Sequence, residues 1–373
     1  MARLLSVCFG REYGELQKFS SEIASGWQCR QKTLCLLHVF ISPVSLLRMP
    51  LTLEQYAAYL DTRHDLVWPA PPEEDRIKAR EHLVPLPEVR AVLWNVYGTL
   101  LRIAGGELWF EHPQEFVMNV ALDKTIQEFK MWASMSRKPG QPAEYMKQLY
   151  DSVLIEQRAV PGGTEKYPEV ASDRIWEALI KKLFQKDYKF DATFYGSLNE
   201  FSRKVAYFFH ASLQGTACYK YAAEAMRLIA EKGLKQGLLA DGQCFTRVQL
   251  QRGLAAQDSS LVLDKILDND LVFLSYEIRG RKPSERLFRH ALHALAQQGL
   301  SPHEVLHVGT SITRDLAPAR RLGMRTALFA RDRISLQASA EQLKEPSSRP
   351  DVMVTRLSQI ADVLRVKRTG GKG

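Results

Sequence analysis

Cysteine is scarce in this chain of 373 residues: there are five, and three of them (Cys8, Cys29 and Cys35) fall in the first tenth. No pair has the spacing of a zinc site and no disulfide framework is visible, so the expected setting is the reducing cytoplasm, with Cys218 and Cys244 as ordinary half-buried thiols. Long apolar runs are also lacking. Residues 34–47 are apolar apart from His38, Ser42 and Ser45 but include Pro43, too short and interrupted for a membrane helix. A long polar stretch precedes them and no clear small-residue cleavage site follows, so they are poorly placed for a signal peptide. There is no Walker-type loop, and Gly237 with Gly242 does not make a dinucleotide fingerprint. Internal repeats and low-complexity segments are absent. His290 and His293 lie three apart on one predicted helix and His307 in a strand, without a carboxylate or cysteine at ligand spacing, so they read as core or surface histidines.

Positive charge is in excess, at a formal +9, but it sits at the ends. Residues 1–48 carry six Lys/Arg against three Glu, and residues 365–373 carry four basic residues and no acid, leaving +2 for the body. A broad basic face is not indicated, and neither nucleic acid nor membrane is an expected partner. With 45% apolar and 25% charged residues the chain is of globular composition, long enough for a core domain with a substantial insert.

Residues 1–48 differ in cysteine use, and the stretch from Met49 resembles an ordinary protein start, with Thr52 as a helix cap. The first 48 residues are therefore read as a non-native or disordered extension and residues 49–88 as a lead-in arm packed on the core. Residues 102–213 are helical in pattern. Met146, Leu149, Tyr150, Val153 and Leu154 share one face, as do Ile175, Trp176, Leu179, Ile180, Leu183 and Phe184 behind a cap at Ser172. Residues 89–101 and 214–365 alternate strand and helix. Apolar runs at 234–240, 271–276, 305–308, 325–329 and 352–354 predict an α/β fold with a parallel, doubly wound sheet, and residues 366–373 are a basic tail. Ligands in such sheets bind at the carboxyl ends of the strands.

Four segments stand at such ends: Asn95-Val96-Tyr97-Gly98-Thr99, Ala240-Asp241-Gly242, Lys282-Pro283, and Gly309-Thr310 with Asp315 five residues beyond Thr310. In this order they resemble the four motifs of the haloacid dehalogenase (HAD)-like hydrolase superfamily. The resemblance covers residues 89–364. It implies a Rossmann-like core with an inserted helical cap, and a hydrolase that forms a covalent intermediate on an aspartate at the position of Asn95. It also implies an acid and base at Tyr97, hydroxyl contacts at Thr99 and Ala240, a neutralising Lys282, and magnesium held by the nucleophile, a backbone carbonyl and the acids of the fourth motif.

The chain departs from that pattern. An amide is a very poor nucleophile, so Asn95 should abolish the covalent step. Tyr97 resembles the metal-free dehalogenase branch, whose halide-binding arginine has no clear counterpart, Tyr145 standing nearest. Ala240 has no hydroxyl and Thr310 no charge, which leaves Asp315 as the one acid of the usual magnesium set; no metal or other cofactor is expected. Asp315 is expected to anchor its loop or pair with Lys282, and Asp241 to be a turn residue. The expected site comprises Asn95, Tyr97, Thr99 and Lys282 at the family's catalytic positions, and Ala240, Asp241, Gly242, Lys282, Thr310 and Asp315 around a ligand. Two readings stand: an impaired, degenerate member that binds a small anionic ligand or a protein partner, and an active phosphatase or dehalogenase in which water or another group replaces the nucleophile or Asn95 is deamidated to Asp.

Overall fold

Because their strands are covered on both faces, parallel sheets read as unbroken apolar runs, and the runs of this chain become one six-stranded sheet. The computed structural model describes residues 49–135, 141–159 and 165–364; the readings made for residues 1–48 and 366–373 lie outside them. The strands are β1 (Ala91–Trp94), β4 (Lys235–Ala240), β5 (Val272–Leu274), β6 (Val305–Gly309), β7 (Arg325–Phe329) and β8 (Val352–Val354). All neighbours pair in parallel, in the order β5-β4-β1-β6-β7-β8, with β1 at the centre. The sheet is thus doubly wound, and its switch point lies at the carboxyl end of β1, where Asn95 begins.

The helix α1 (Leu53–Asp61) starts at Thr52, whose side chain accepts from the Gln55 amide while Gln55 returns the bond. Four longer helices fill the insert: α2 (Glu115–Glu128), α3 (Pro142–Arg158), α4 (Ser172–Phe184) and α5 (Leu198–Leu213). In the core, α6 (Ala222–Glu231), α7 (Thr246–Ala255) and α8 (Glu285–Gln297) cover the sheet. At the stem of the insert, β2 (Leu101–Arg102) and β3 (Ala217–Cys218) form a short antiparallel ribbon. No described helix is long and apolar enough to cross a membrane.

The two largest apolar clusters among the described residues lie in different parts of the fold. One packs β1, β4, β6 and β7 against α6 and α7; the other joins α2, α3, α4 and α5 around Tyr150, Trp176, Phe201 and Phe208. Each fully buried side chain of this size is worth about 1.5–3 kcal/mol.

Three local expectations are corrected. The arm does not lie on the core domain alone: Tyr56, Ala57 and Leu60 of α1 are buried in the cap's cluster, while His82 pairs with Met353 beside β8 and Glu74 with Arg331. Ser172 does not cap α4, since Ala171 holds that position; its hydroxyl lies 2.8 Å from His210 Nε2 between fully buried partners. The run at 271–276 ends as a strand at Leu274, and residues Ser275–Ile278 turn into a helical segment.

Candidate active site

Four loops leave the carboxyl edge of the sheet and converge on Lys282. It is 2% exposed, and its ammonium pairs with Asp315 Oδ1, donates to Asn95 Oδ1 at 2.9 Å and reaches the Leu239 carbonyl at 3.5 Å. A buried charge needs such partners, because an unpaired one is strongly destabilising. Burial pushes the Asp315 carboxyl up, but the Lys282 ammonium opposes this and holds it below the usual range. The second oxygen, Oδ2, accepts from the backbone amides of Thr310 and Ser311 at 3.0 Å each. Gly309 makes room for this: a Cβ there would stand 2.5 Å from that oxygen.

Asn95 is 8% exposed and its orientation is fixed from both ends. Its Oδ1 faces the Lys282 ammonium, while Nδ2 donates to the Tyr97 carbonyl at 3.0 Å and to Thr99 Oγ1 at 3.3 Å. Reversing the amide would set nitrogen against ammonium and oxygen against a carbonyl.

The remaining expected residues divide. Tyr97 lines the cavity, but its hydroxyl turns away to donate to Gln249 Oε1 at 2.6 Å and meet Thr246 Oγ1 at 3.0 Å; burial raises its pKa above the ordinary tyrosine value. Thr99 is fully buried beneath Asn95, and Ala240 lies in the sheet core; neither lines the cavity. Tyr145 lies on α3, also away from it. Asp241 is more than a turn residue. Its Oδ1 accepts from the Lys282 backbone amide at 2.8 Å and its Oδ2 pairs with Arg314 at 2.8 Å. His307 is buried in β6, Nδ1 facing the Leu93 carbonyl at 3.0 Å; burial and the nearby Lys282 charge push its pKa down to about 4, so it is neutral.

The cavity between these loops is small, about 40 Å³ of water-accessible space. It is walled in part by residues that no motif marks. Glu107, from the segment after β2, reaches Arg314 at 2.6 Å and Arg281 at 3.4 Å. Glu169, from the stretch entering α4, accepts from Ser275 Oγ at 2.7 Å; burial, with Asp241 nearby, pushes its carboxyl up to about 7. The one faint signal for Glu107 is the pair Gly105-Gly106 immediately before it, and for Arg314 its adjacency to Asp315.

Magnesium does not suit this donor set. Both oxygens of Asp315 are committed, to an ammonium and to two amides. Asn95 and Thr310 supply no negative charge to offset the dehydration of a hard cation. Among the described residues no group of three or more His, Cys, Asp or Glu is placed to hold a metal ion.

Residues 280–360 match the family model described as HAD-hydrolase-like. Among characterised proteins, the Rhythmically expressed gene 2 protein of Drosophila melanogaster is 36% identical over 66 residues, covering 18% of this chain and 25% of that protein, so the match spans a quarter of the relative's length. Among solved structures, a HAD phosphatase from Thermococcus onnurineus is 18% identical over 75% of this chain and 100% of its own, with a TM-score of 0.41. A 2-haloacid dehalogenase from Pseudomonas syringae pv. tomato is 17% identical over 74% and 98%, with a TM-score of 0.46. The family match contains Lys282, Asp315 and strands β6 to β8, and the other two motif segments stand beside them on the same sheet edge. Over residues 280–360 the chain is similar to the HAD-hydrolase-like family.

Proposed function

We propose that this HAD-like, hydrolase-family chain binds a small anionic ligand in its cavity without hydrolysing it by the family's covalent route. The observation that carries this reading is the Asn95 amide, whose nitrogen and oxygen are each matched to a partner of the right polarity. An amide at that position is a built feature of the site; a carboxylate produced by deamidation would set an oxygen 3.0 Å from the Tyr97 carbonyl. The nucleophile of a catalytic unit is typically worth about a million-fold in turnover. The other family roles are unfilled in the same place, Tyr97 bonding away from the cavity and Thr310 bringing no charge. A cytoplasmic setting fits the two buried thiols, Cys218 and Cys244, which form no disulfide.

The test is a panel of phosphate esters and 2-haloacids offered to the purified chain with and without magnesium, residue 95 being verified as asparagine by mass spectrometry. No turnover above a heat-treated control is expected. Sustained hydrolysis by chain verified as Asn95 would overturn the reading in favour of a substitute nucleophile.

A further inference from the structure

The anion seat that the motifs suggest is already filled. Lys282 is paired with Asp315 and buried on every side, so it has no charge to spare for a ligand. Two further cations line the cavity, Arg281 and Arg314, the latter also paired through its other nitrogen with Asp241, and between them lies a carboxylate of the chain itself: Glu107 Oε2 accepts from Arg314 Nη1 at 2.6 Å and from Arg281 Nη2 at 3.4 Å. Two guanidinium groups converging on one carboxylate are the geometry by which proteins bind carboxylate ligands.

The segment that brings Glu107 there is fixed by its backbone. Gly105 and Gly106 both have φ of +70°, and a Cβ on Gly106 would meet the Ser335 Cα at 2.8 Å, so this path is closed to other residues. The Gln214 side chain ties the segment down, donating to the carbonyls of Ala104 and Glu107 at 3.0 and 3.1 Å and accepting from the Trp109 amide at 2.7 Å. The Glu107 side chain itself is partly exposed on this fixed backbone.

We infer that Arg281 and Arg314 form a binding site for a small carboxylate, and that Glu107 occupies it as an internal competitor until the ligand displaces it. This deepens, and rests on, the binding half of the reading proposed above. The space beyond Cβ of a glutamate has the heavy atoms of acetate, which makes acetate the direct probe.

Sodium acetate is titrated into the full chain at constant ionic strength, with sodium chloride as the control, and binding is followed by the Nε–H resonances of the arginine side chains. Glu107→Ala is expected to bind acetate saturably and at least tenfold more tightly than the unaltered chain. Glu107→Gln, which keeps the side chain's size and loses its charge, is expected to fall between the two. Adding Arg281→Gln to Glu107→Ala leaves the Arg314–Asp241 pair in place and should weaken acetate at least tenfold. The inference is overturned if neither Glu107 variant binds acetate more tightly than the unaltered chain, or if Arg281→Gln leaves the affinity unchanged. Acetate cannot be turned over as a phosphate ester or haloacid, so its binding is read apart from hydrolysis: a chain that hydrolyses an ester yet shows this pattern fails the non-hydrolytic reading and keeps this one.

Discussion

The Asn95 side-chain nitrogen donates to the Tyr97 carbonyl at 3.0 Å, a bond that closes the turn after β1. The bond needs a donor at that end of the side chain. An aspartate would put an oxygen there instead, next to a carbonyl that cannot donate, and would add a second carboxylate to the Lys282–Asp315 pair. Asn95→Asp should therefore destabilise the protein by about 1–3 kcal/mol, the scale of a buried group left without its partner. Urea unfolding at neutral pH in the absence of divalent cations measures this. An unchanged or increased stability would show that the site accepts a carboxylate and that the amide is incidental.

The Lys282–Asp315 pair should behave as a unit. With side chains 1% and 3% exposed, neither group can turn to water when the other is removed. Asp315→Ala strands the ammonium and leaves the Thr310 and Ser311 amides without an acceptor, so the expected loss is about 3–5 kcal/mol, the usual cost of breaking a buried pair from one side. Combining it with Lys282→Met should cost less than the sum of the two single changes by more than about 1 kcal/mol, since contacting residues couple on that scale. Strict additivity in the double-mutant cycle would dissolve the pair as an energetic element.

What the sequence displays and what it conceals divide along a physical line. The apolar runs of β4 and β6 are visible because burial on both sides demands them over consecutive residues, and Asn95, Lys282 and Asp315 are visible because strand ends fix their spacing. Glu107, Glu169, Arg281 and Arg314 lie in stretches of ordinary surface composition, and they meet only when the segment after β2 and the entry to α4 fold over the sheet edge. Asp241 shows the intermediate case. Its type and place suit a turn, and its second function, bridging the Lys282 backbone to Arg314, depends on two loops far away in sequence. Ser172 misleads for a related reason: serine before an apolar helix face is a typical cap, but here a buried histidine claims its hydroxyl.

Glu169 makes a prediction about pH. Its carboxyl is pushed up from 4.5 to about 7, first by burial and then by Asp241, so the folded chain holds a proton that the unfolded chain releases between those values. Stability from this group is complete below about pH 4.5 and is lost as pH rises through about 7, because there the folded state binds more protons than the unfolded one. Between pH 5 and 8 the unaltered chain should lose about 1–3 kcal/mol relative to Glu169→Gln, which carries no titrating group. Parallel urea titrations of the two proteins across that range provide the measurement. Identical pH profiles, or a profile rising toward pH 8 relative to the variant, would contradict the assignment.

Restoring the family's chemistry should take more than one substitution. Asn95→Asp returns a carboxylate, but the Tyr97 hydroxyl remains committed to Gln249 and Thr246, so the acid position two residues beyond Asn95 stays unfilled, a role worth about a hundred- to ten-thousand-fold. Thr310 still brings no charge for a cation, and Asp315 is still held by Lys282. We therefore expect millimolar magnesium to leave the melting temperature of the unaltered chain unchanged, and Asn95→Asp to give at most weak hydrolysis of p-nitrophenyl phosphate. Magnesium-dependent turnover should appear only when Tyr97→Asp and Thr310→Asp are added, and these effects will not simply sum, because the groups act as one unit. A metal site filled at a hundred times its dissociation constant would stabilise by about 2.7 kcal/mol, well within reach of a melting curve. A clear upward shift of the unaltered chain in magnesium, abolished by Asp315→Ala, would mean that the cation displaces Lys282 from Asp315, and the donor-set argument for a metal-free site would fall with it.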